Sequence, residues 1–190
     1  MRIISGKYKG RQMVSFKAPH IRPTTDRVKE TIFNILRGDI SGVRALDLFS
    51  GTGSLGIEAL SRGAAYVEFV ESHPRSLRII RENLNKLQVS EPFSIVARDV
   101  FKYLKEYAGE PFQVIFIDPP FTEALADACM TALAQSRAAK KNTIVVIESA
   151  KREPIEDHYN SFHLLDRRAF GDKSASFYRK ESGEGDIVSG

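Results

Sequence analysis

The sequence predicts an α/β fold: a mostly parallel sheet with helices on both faces, closed by an antiparallel C-terminal hairpin and preceded by an N-terminal β-hairpin and helix. Three observations predict it. Apolar runs of strand length alternate with helical patterns from residue 43 to residue 148, as they do in a parallel sheet built from β-α units. Gly51, Gly53 and Gly56 spell G-x-G-x-x-G between the first of these strands and the helix after it. Near the end, two strand-like runs flank Gly171-Asp172, a hairpin turn pair.

Taken in order, "RIISGKYKGRQMVSF" alternates around Gly6 and Gly10 and predicts a short twisted hairpin. Thr25 or Asp26 can cap the next helix, whose apolar face is Val28, Ile32, Phe33, Ile35 and Leu36. "VRALDLF" predicts a buried strand, and Gly56 to Arg62 lie on the helix after the glycine turn. "AYVEFVE", "FSIVA", "VIFID" and "TIVVIE" predict further strands. Helices are predicted over Pro74–Leu87, near Phe101–Tyr107 and around Glu123–Lys140. "FHLLDRRAFGDKSASFYRK" supplies the terminal hairpin, and "ESGEGDIVSG" has little to pack. The chain therefore divides into a basic hairpin-and-helix extension (1–40), a core (41–180) and a disordered acidic tail (181–190).

With 42% hydrophobic and 27% charged residues over 190 positions, the composition is that of a soluble domain large enough to bury a core. No apolar run reaches the ~18 residues needed to span a bilayer, and "MRIISGKYKGRQ" lacks the pattern of a secretory signal. Cys129 is the only cysteine, so neither a disulfide framework nor a thiolate cage is expected, and the cytoplasm is the expected compartment. His20, His73, His158 and His163 show no ligand spacing, so no metal is expected. The net charge of +4 is unevenly placed: residues 1–40 carry nine basic against three acidic side chains. That asymmetry points to a polyanion contact or to a solvated face.

The glycine turn is a ligand-binding element in open α/β sheets, where backbone N–H groups meet the ligand beyond the strand ends. Asp47 precedes it by four residues, with Ser50 beside it. A carboxylate there repels a pyrophosphate and favours a cofactor carrying an ammonium and a sulfonium, as S-adenosyl-L-methionine (SAM) does. Glu71, twenty residues beyond Gly51, can accept both hydroxyls of a ribose, which NAD and SAM share. Asp99 can accept from an adenine amino group, cap the following helix, or do both. In "VIFIDPPF" an acid ends an apolar strand, two prolines stiffen the loop, and an aromatic follows. Asp118 and the Pro119 carbonyl offer acceptors, Pro120 removes a further donor, and Phe121 offers a flat face. Such a set suits a planar base bearing an exocyclic amine.

"DLFSGTGSLGIEALSRGA", "FVE", "RDVF" and "DPPF", in this order, resemble the class I SAM-dependent amino-methyltransferases. "MRIISGKYKGR", "RPTTDRVKETIFNIL" and "FGDKSASFYRK" narrow the resemblance to the RsmD-type 16S ribosomal RNA (guanine-N2)-methyltransferases, over residues 1 to 180. The resemblance implies a Rossmann-like fold with a seven-stranded sheet, and SAM as cofactor. It implies a cofactor site at Asp47, Phe49, Ser50, Gly51, Gly53, Glu71, Asp99 and Val100. A catalytic loop of Asp118, Pro119, Pro120 and Phe121 would hold the target guanine. Substrate contacts are expected from Lys7, Lys9, Arg11, Arg22, Thr24 and Thr25. The expected partner is 16S ribosomal RNA, alone or within a small ribosomal subunit or assembly intermediate, met by a monomer. Adenine-N6 methylation of DNA or RNA, and a non-catalytic RNA-binding assembly factor, are the alternative readings. The acid set argues against the latter.

Overall fold

A computed structural model describes residues 1–15, 25–120 and 125–182. Along the chain these form α1 (Asp26–Ile35), β1 (Arg44–Leu48), α2 (Ser54–Ser61), β2 (Tyr66–Glu71), α3 (Pro74–Lys86) and β3 (Phe93–Ala97). They continue with α4 (Val100–Glu106), β4 (Phe112–Ile117), α5 (Ala126–Ala134), β5 (Ala139–Ala150), β6 (His158–Tyr159), β7 (Phe162–Phe170) and β8 (Lys173–Lys180). All strands join one sheet in the order β3-β2-β1-β4-β5-β8-β7-β6. The first five in that order are parallel, and β8, β7 and β6 run antiparallel to their neighbours. The connections run outward to one side from β1 and to the other from β4. The crevice beyond the carboxyl ends of these two strands is therefore where such a sheet takes ligands.

Strand residues alternate between the two faces with period two. Ala45, Phe69, Phe116, Val146 and Phe177 face α1, α2, α3 and the N-terminal segment, represented by Phe33, Ile57, Ile80 and Tyr8. Leu46, Val70, Ile115, Ile117 and Val145 face α4 and α5, through Leu104, Met130 and Leu133. Burial on both faces explains why β1 and β4 are mostly apolar on both faces, despite Asp47 and Gln113. Local chemistry sets the helix starts: Thr25 Oγ1 accepts from Val28 N–H, His73 Nδ1 from Arg75 N–H ahead of Pro74, and Asp99 Oδ1 from Lys102 N–H.

Four expectations need correction. The sheet has eight strands, because His158–Tyr159 adds a short pairing to β7. The N-terminal hairpin is reduced to one bridge, Arg2 with Gln12. Its hydrogen bonds go instead to α2: Glu58 accepts from Ile4 and Ser5 N–H, and Ser61 from Lys7 and Tyr8 N–H. A Cβ at Gly6 would lie 1.8 Å from Ser61 O, at a φ of +81°. The helix expected over 123–140 spans only Ala126–Ala134. Its expected last turn is strand instead, with Ala139 paired to Phe112 and Thr143 Oγ1 donating to Phe112 O. The strand expected from Thr143 accordingly begins at Ala139.

Candidate functional site

Asp47 lies on β1 with 1% of its surface exposed, and its Oδ2 accepts from Gly56 N–H at 2.9 Å. The chain then turns sharply through Phe49 (φ 58°), Gly51 (φ 56°) and Gly53 (φ 78°), backbone angles that favour glycine at the last two. Ser50 fastens the turn: its Oγ donates to Asp47 O at 2.6 Å, and its N–H donates to Val70 O at 3.1 Å. Gly56 serves the packing of α2 on β2, since a Cβ there would sit 2.3 Å from Phe69.

The motif N–H groups are spoken for. Gly51 N–H donates to Glu71 Oε2 at 2.9 Å, Gly53 N–H to Ser50 O at 2.7 Å, and Gly56 N–H to Asp47 Oδ2. Two of these acceptors are carboxylates. Instead of bare amides for a pyrophosphate, the turn offers acceptors, and the Glu71 carboxylate beside it adds negative charge. Glu71 Oε1 is further held by Ser72 and His73 N–H, each at 2.8 Å. A carboxylate oxygen has lone pairs to spare after one such bond, so Glu71 can still accept from a ligand.

The registers align these acids. Asp47 is level with Phe69 on β2 and Phe116 on β4, and Phe116 is level with Val146 on β5. Two residues further on, toward the carboxyl ends, stand Glu71, Asp118 and Glu148. Asp118 is half-buried, Pro119 buried and Pro120 exposed. Burial pushes the Asp47 carboxyl up to about 8 against the Gly56 hydrogen bond, and the charges of Asp118 and Glu71 raise it further. The strand registers place the three carboxyls at one edge of the sheet. Phe49 packs edge-on against Phe101 at 6.4 Å, closing the floor on the α4 side. Asp99 is exposed and caps α4, followed by the buried Val100. Capping leaves its second oxygen available to a ligand.

Thus Asp47, Phe49, Ser50, Gly51, Gly53, Glu71, Asp99, Val100, Asp118 and Pro119 gather at the carboxyl edge of the parallel strands. Thr25 caps α1 and lines a cleft of about 520 Å³ with Arg27, Phe170 and Lys173. Lys7, Lys9 and Arg11 lie apart from this edge. Lys7 Nζ pairs with Glu91 at 2.6 Å, and Arg11 donates to Leu87 O, the C-cap of α3. Both contacts fall at the helix ends remote from the glycine turn, about 12 Å away along α2. Arg22, Thr24 and Phe121 lie outside the described residues. Sequence reading missed Glu148, although it ends an apolar strand as Asp118 and Glu71 do. It also missed that His158 and His163 meet across β6 and β7, Nδ1 to Nδ1 at 2.9 Å. Among the described residues no group of three or more His, Cys, Asp or Glu is placed to hold a metal.

Residues 1–179 match the family model described as conserved hypothetical protein 95. The chain is 31% identical over 187 residues to ribosomal RNA small subunit methyltransferase D of Escherichia coli K12, covering 98% of this chain and 93% of that one. It is 36% identical to the protein of the same name from Haemophilus influenzae, over 94% and 93% of the two chains. Among solved structures it is similar to yhhF of Escherichia coli, with a TM-score of 0.84, 30% identity, and 95% and 98% of the two chains covered.

Proposed function

The chain belongs to the conserved hypothetical protein 95 family, and on that premise we propose that it transfers a methyl group from SAM to the exocyclic N2 of a guanine in small-subunit (16S) ribosomal RNA. The observation that carries this reading is the occupied glycine turn: its N–H groups are bound to the chain's own acceptors, with the Glu71 carboxylate on Gly51 N–H and the buried Asp47 carboxyl on Gly56 N–H. A cationic ligand fits such a turn, and a dinucleotide does not. The methyltransferase relatives support the same donor.

When bound, SAM supplies an electrophilic methyl group carried on a sulfonium. Asp47, Gly51 and Gly53, shaped by Phe49 and Ser50, would hold its methionine part, Glu71 its ribose, and Asp99 with Val100 its adenine edge. Asp118 and the Pro119 carbonyl would each accept one N–H of the guanine amine. The amine lone pair, otherwise delocalised into the ring, is then directed out of the ring plane. Pro119 and Pro120 fix the loop so that these acceptors need not be reorganised during reaction. Asp118 stabilises positive charge developing on N2 and, being half-exposed, gives the departing proton a way to solvent. Phe121 would stack on the base, a contact worth ~1 to 3 kcal/mol.

The same reading makes the protein a cytoplasmic monomer acting on 16S RNA within a small ribosomal subunit or an assembly intermediate. Thr25, with Arg22 and Thr24 just before it in sequence, would meet the RNA near the site. Lys7, Lys9 and Arg11, a helix length away, would meet the body of a folded RNA and not the reacting base. Incubation with small ribosomal subunits lacking the modification and labelled SAM, followed by nucleoside mass spectrometry, tests the proposal. N2-methylguanosine is the expected product. Label in methyladenosine, or in protein alone, would overturn it.

A further inference from the structure

Glu148 is buried to 1% exposure at the carboxyl end of β5. The register Ile117 with Ile147 makes Asp118 and Glu148 the next residues on adjacent parallel strands, which lie about 4.8 Å apart. Both follow residues of the same face, Phe116 and Val146, so both belong to the face that carries Asp47. From the hairpin, Lys173 reaches back over Ala150, its β-sheet partner, and sets its Nζ 3.9 Å from Glu148 Oε2. That is ion-pair range and longer than a hydrogen bond. The Lys173 side chain is only 12% exposed and lines the cleft bounded by Thr25 and Arg27. A buried acid and a nearly buried base thus stand side by side, on the first and second strands beyond the one whose end carries the residues assigned to the target amine.

We propose that Glu148 and Lys173 read the Watson–Crick edge of the target base and make the site select guanine over adenine. This inference rests on the guanine-N2 reading above and deepens it. Guanine presents, in sequence along that edge, the N2 amine, the N1–H donor and the O6 acceptor. With the amine held by Asp118 and Pro119, the next position faces Glu148, whose carboxylate accepts from N1–H. The one after faces Lys173, whose ammonium donates to O6. Adenine with its one amine, N6, held in the same way presents a bare N1 lone pair toward the carboxylate and a C2–H, with no acceptor, toward the ammonium. Both contacts would then be unpaired in a water-poor site, which is the arrangement that discriminates most strongly.

The test uses small subunits in which the methylated guanine, once mapped, is replaced by 2,6-diaminopurine. That base keeps the reacting 2-amine but carries a bare N1 and a 6-amine. Wild-type protein should prefer guanine by at least about 100-fold in kcat/KM. Glu148→Gln and Lys173→Met should each lower that ratio at least about tenfold, with SAM affinity by calorimetry within about threefold of wild type. A ratio unchanged in both variants, or a wild type indifferent to the replacement, overturns the inference while leaving the methylation reading intact. Wild-type protein that puts no methyl on any guanine N2 overturns the reading itself and this inference with it. Should Glu148→Gln fail to fold, the ratio measured with Lys173→Met decides, since Lys173 is the less buried of the pair.

Discussion

Asp47 is buried at the site beside two other acids, Glu71 and Asp118, whose charges add to the effect of its burial. Its folded-state pKa of about 8 stands above its ordinary value of 3.8. The sign follows directly: the neutral carboxyl contributes stability that is fully present below pH ~4 and is lost as the pH rises toward 8. Asp47→Asn keeps an oxygen for Gly56 N–H and removes the ionisation. It should therefore raise the melting temperature at pH 8 by at least about 3 °C, leave it unchanged near pH 4, and weaken SAM binding at least about tenfold. Thermal melts across that range with calorimetry check this, and a variant with the wild-type pH profile would contradict it. Ligand affinity is bought here with apo stability, as at other sites where like charges converge.

At the scale of elements, the N-terminal segment and α1 are tied to α2 by a buried polar cluster. Lys29 Nζ donates to Arg2 O at 2.6 Å and lies 3.4 Å from Glu58 Oε2, with both side chains fully buried, while Arg62 approaches Glu58 Oε1 at 2.8 Å. Lys29→Met leaves Glu58 in the interior without that ammonium, and should cost about 3 kcal/mol in urea unfolding. A loss under 1 kcal/mol would show that Arg62 and the N–H groups of Ile4 and Ser5 suffice. Gly56→Ala drives a methyl into Phe69 and Val67, and should cost about 1 to 3 kcal/mol by pushing α2 off β2, with SAM affinity reduced because Gly56 N–H moves with the helix. These elements also show what the sequence made legible. Strands and their order of appearance were readable because β1, β2 and β4 are rich in buried apolar residues, and each ends on an acid or a glycine turn. The N-terminal segment was not, because its alternation around Gly6 and Gly10 serves contacts with Glu58 and Ser61, which no local pattern announces. The end of α5 was hidden for a similar reason: Ala138 to Lys140 suit a helix, and it is the pairing of Ala139 to Phe112 that starts the strand there. At the site, Asp118 was legible from its two prolines, whereas Glu148 acquires meaning only from the register of β5 against β4.

Across the whole molecule, charge and chemistry occupy different ends. The acids cluster at the carboxyl edge of the sheet, and Lys7, Lys9 and Arg11 lie at the opposite end of α2. RNA reaching both must extend over at least about 12 Å of protein surface. Lys9→Glu should therefore weaken RNA binding and flatten its dependence on salt by about one unit of log–log slope, with kcat at saturating RNA unchanged. Filter binding over a salt series measures this, and an unaltered affinity would remove these residues from the RNA surface. The account as a whole depends on an amine-gripping loop at the end of β4, beside a turn made for a cation. Transfer of labelled methyl to small ribosomal subunits by Asp118→Ala, with SAM binding measured in parallel, addresses it most directly. The account predicts SAM affinity within about threefold of wild type and a transfer rate lowered at least about 100-fold. Wild-type transfer by that variant would contradict it.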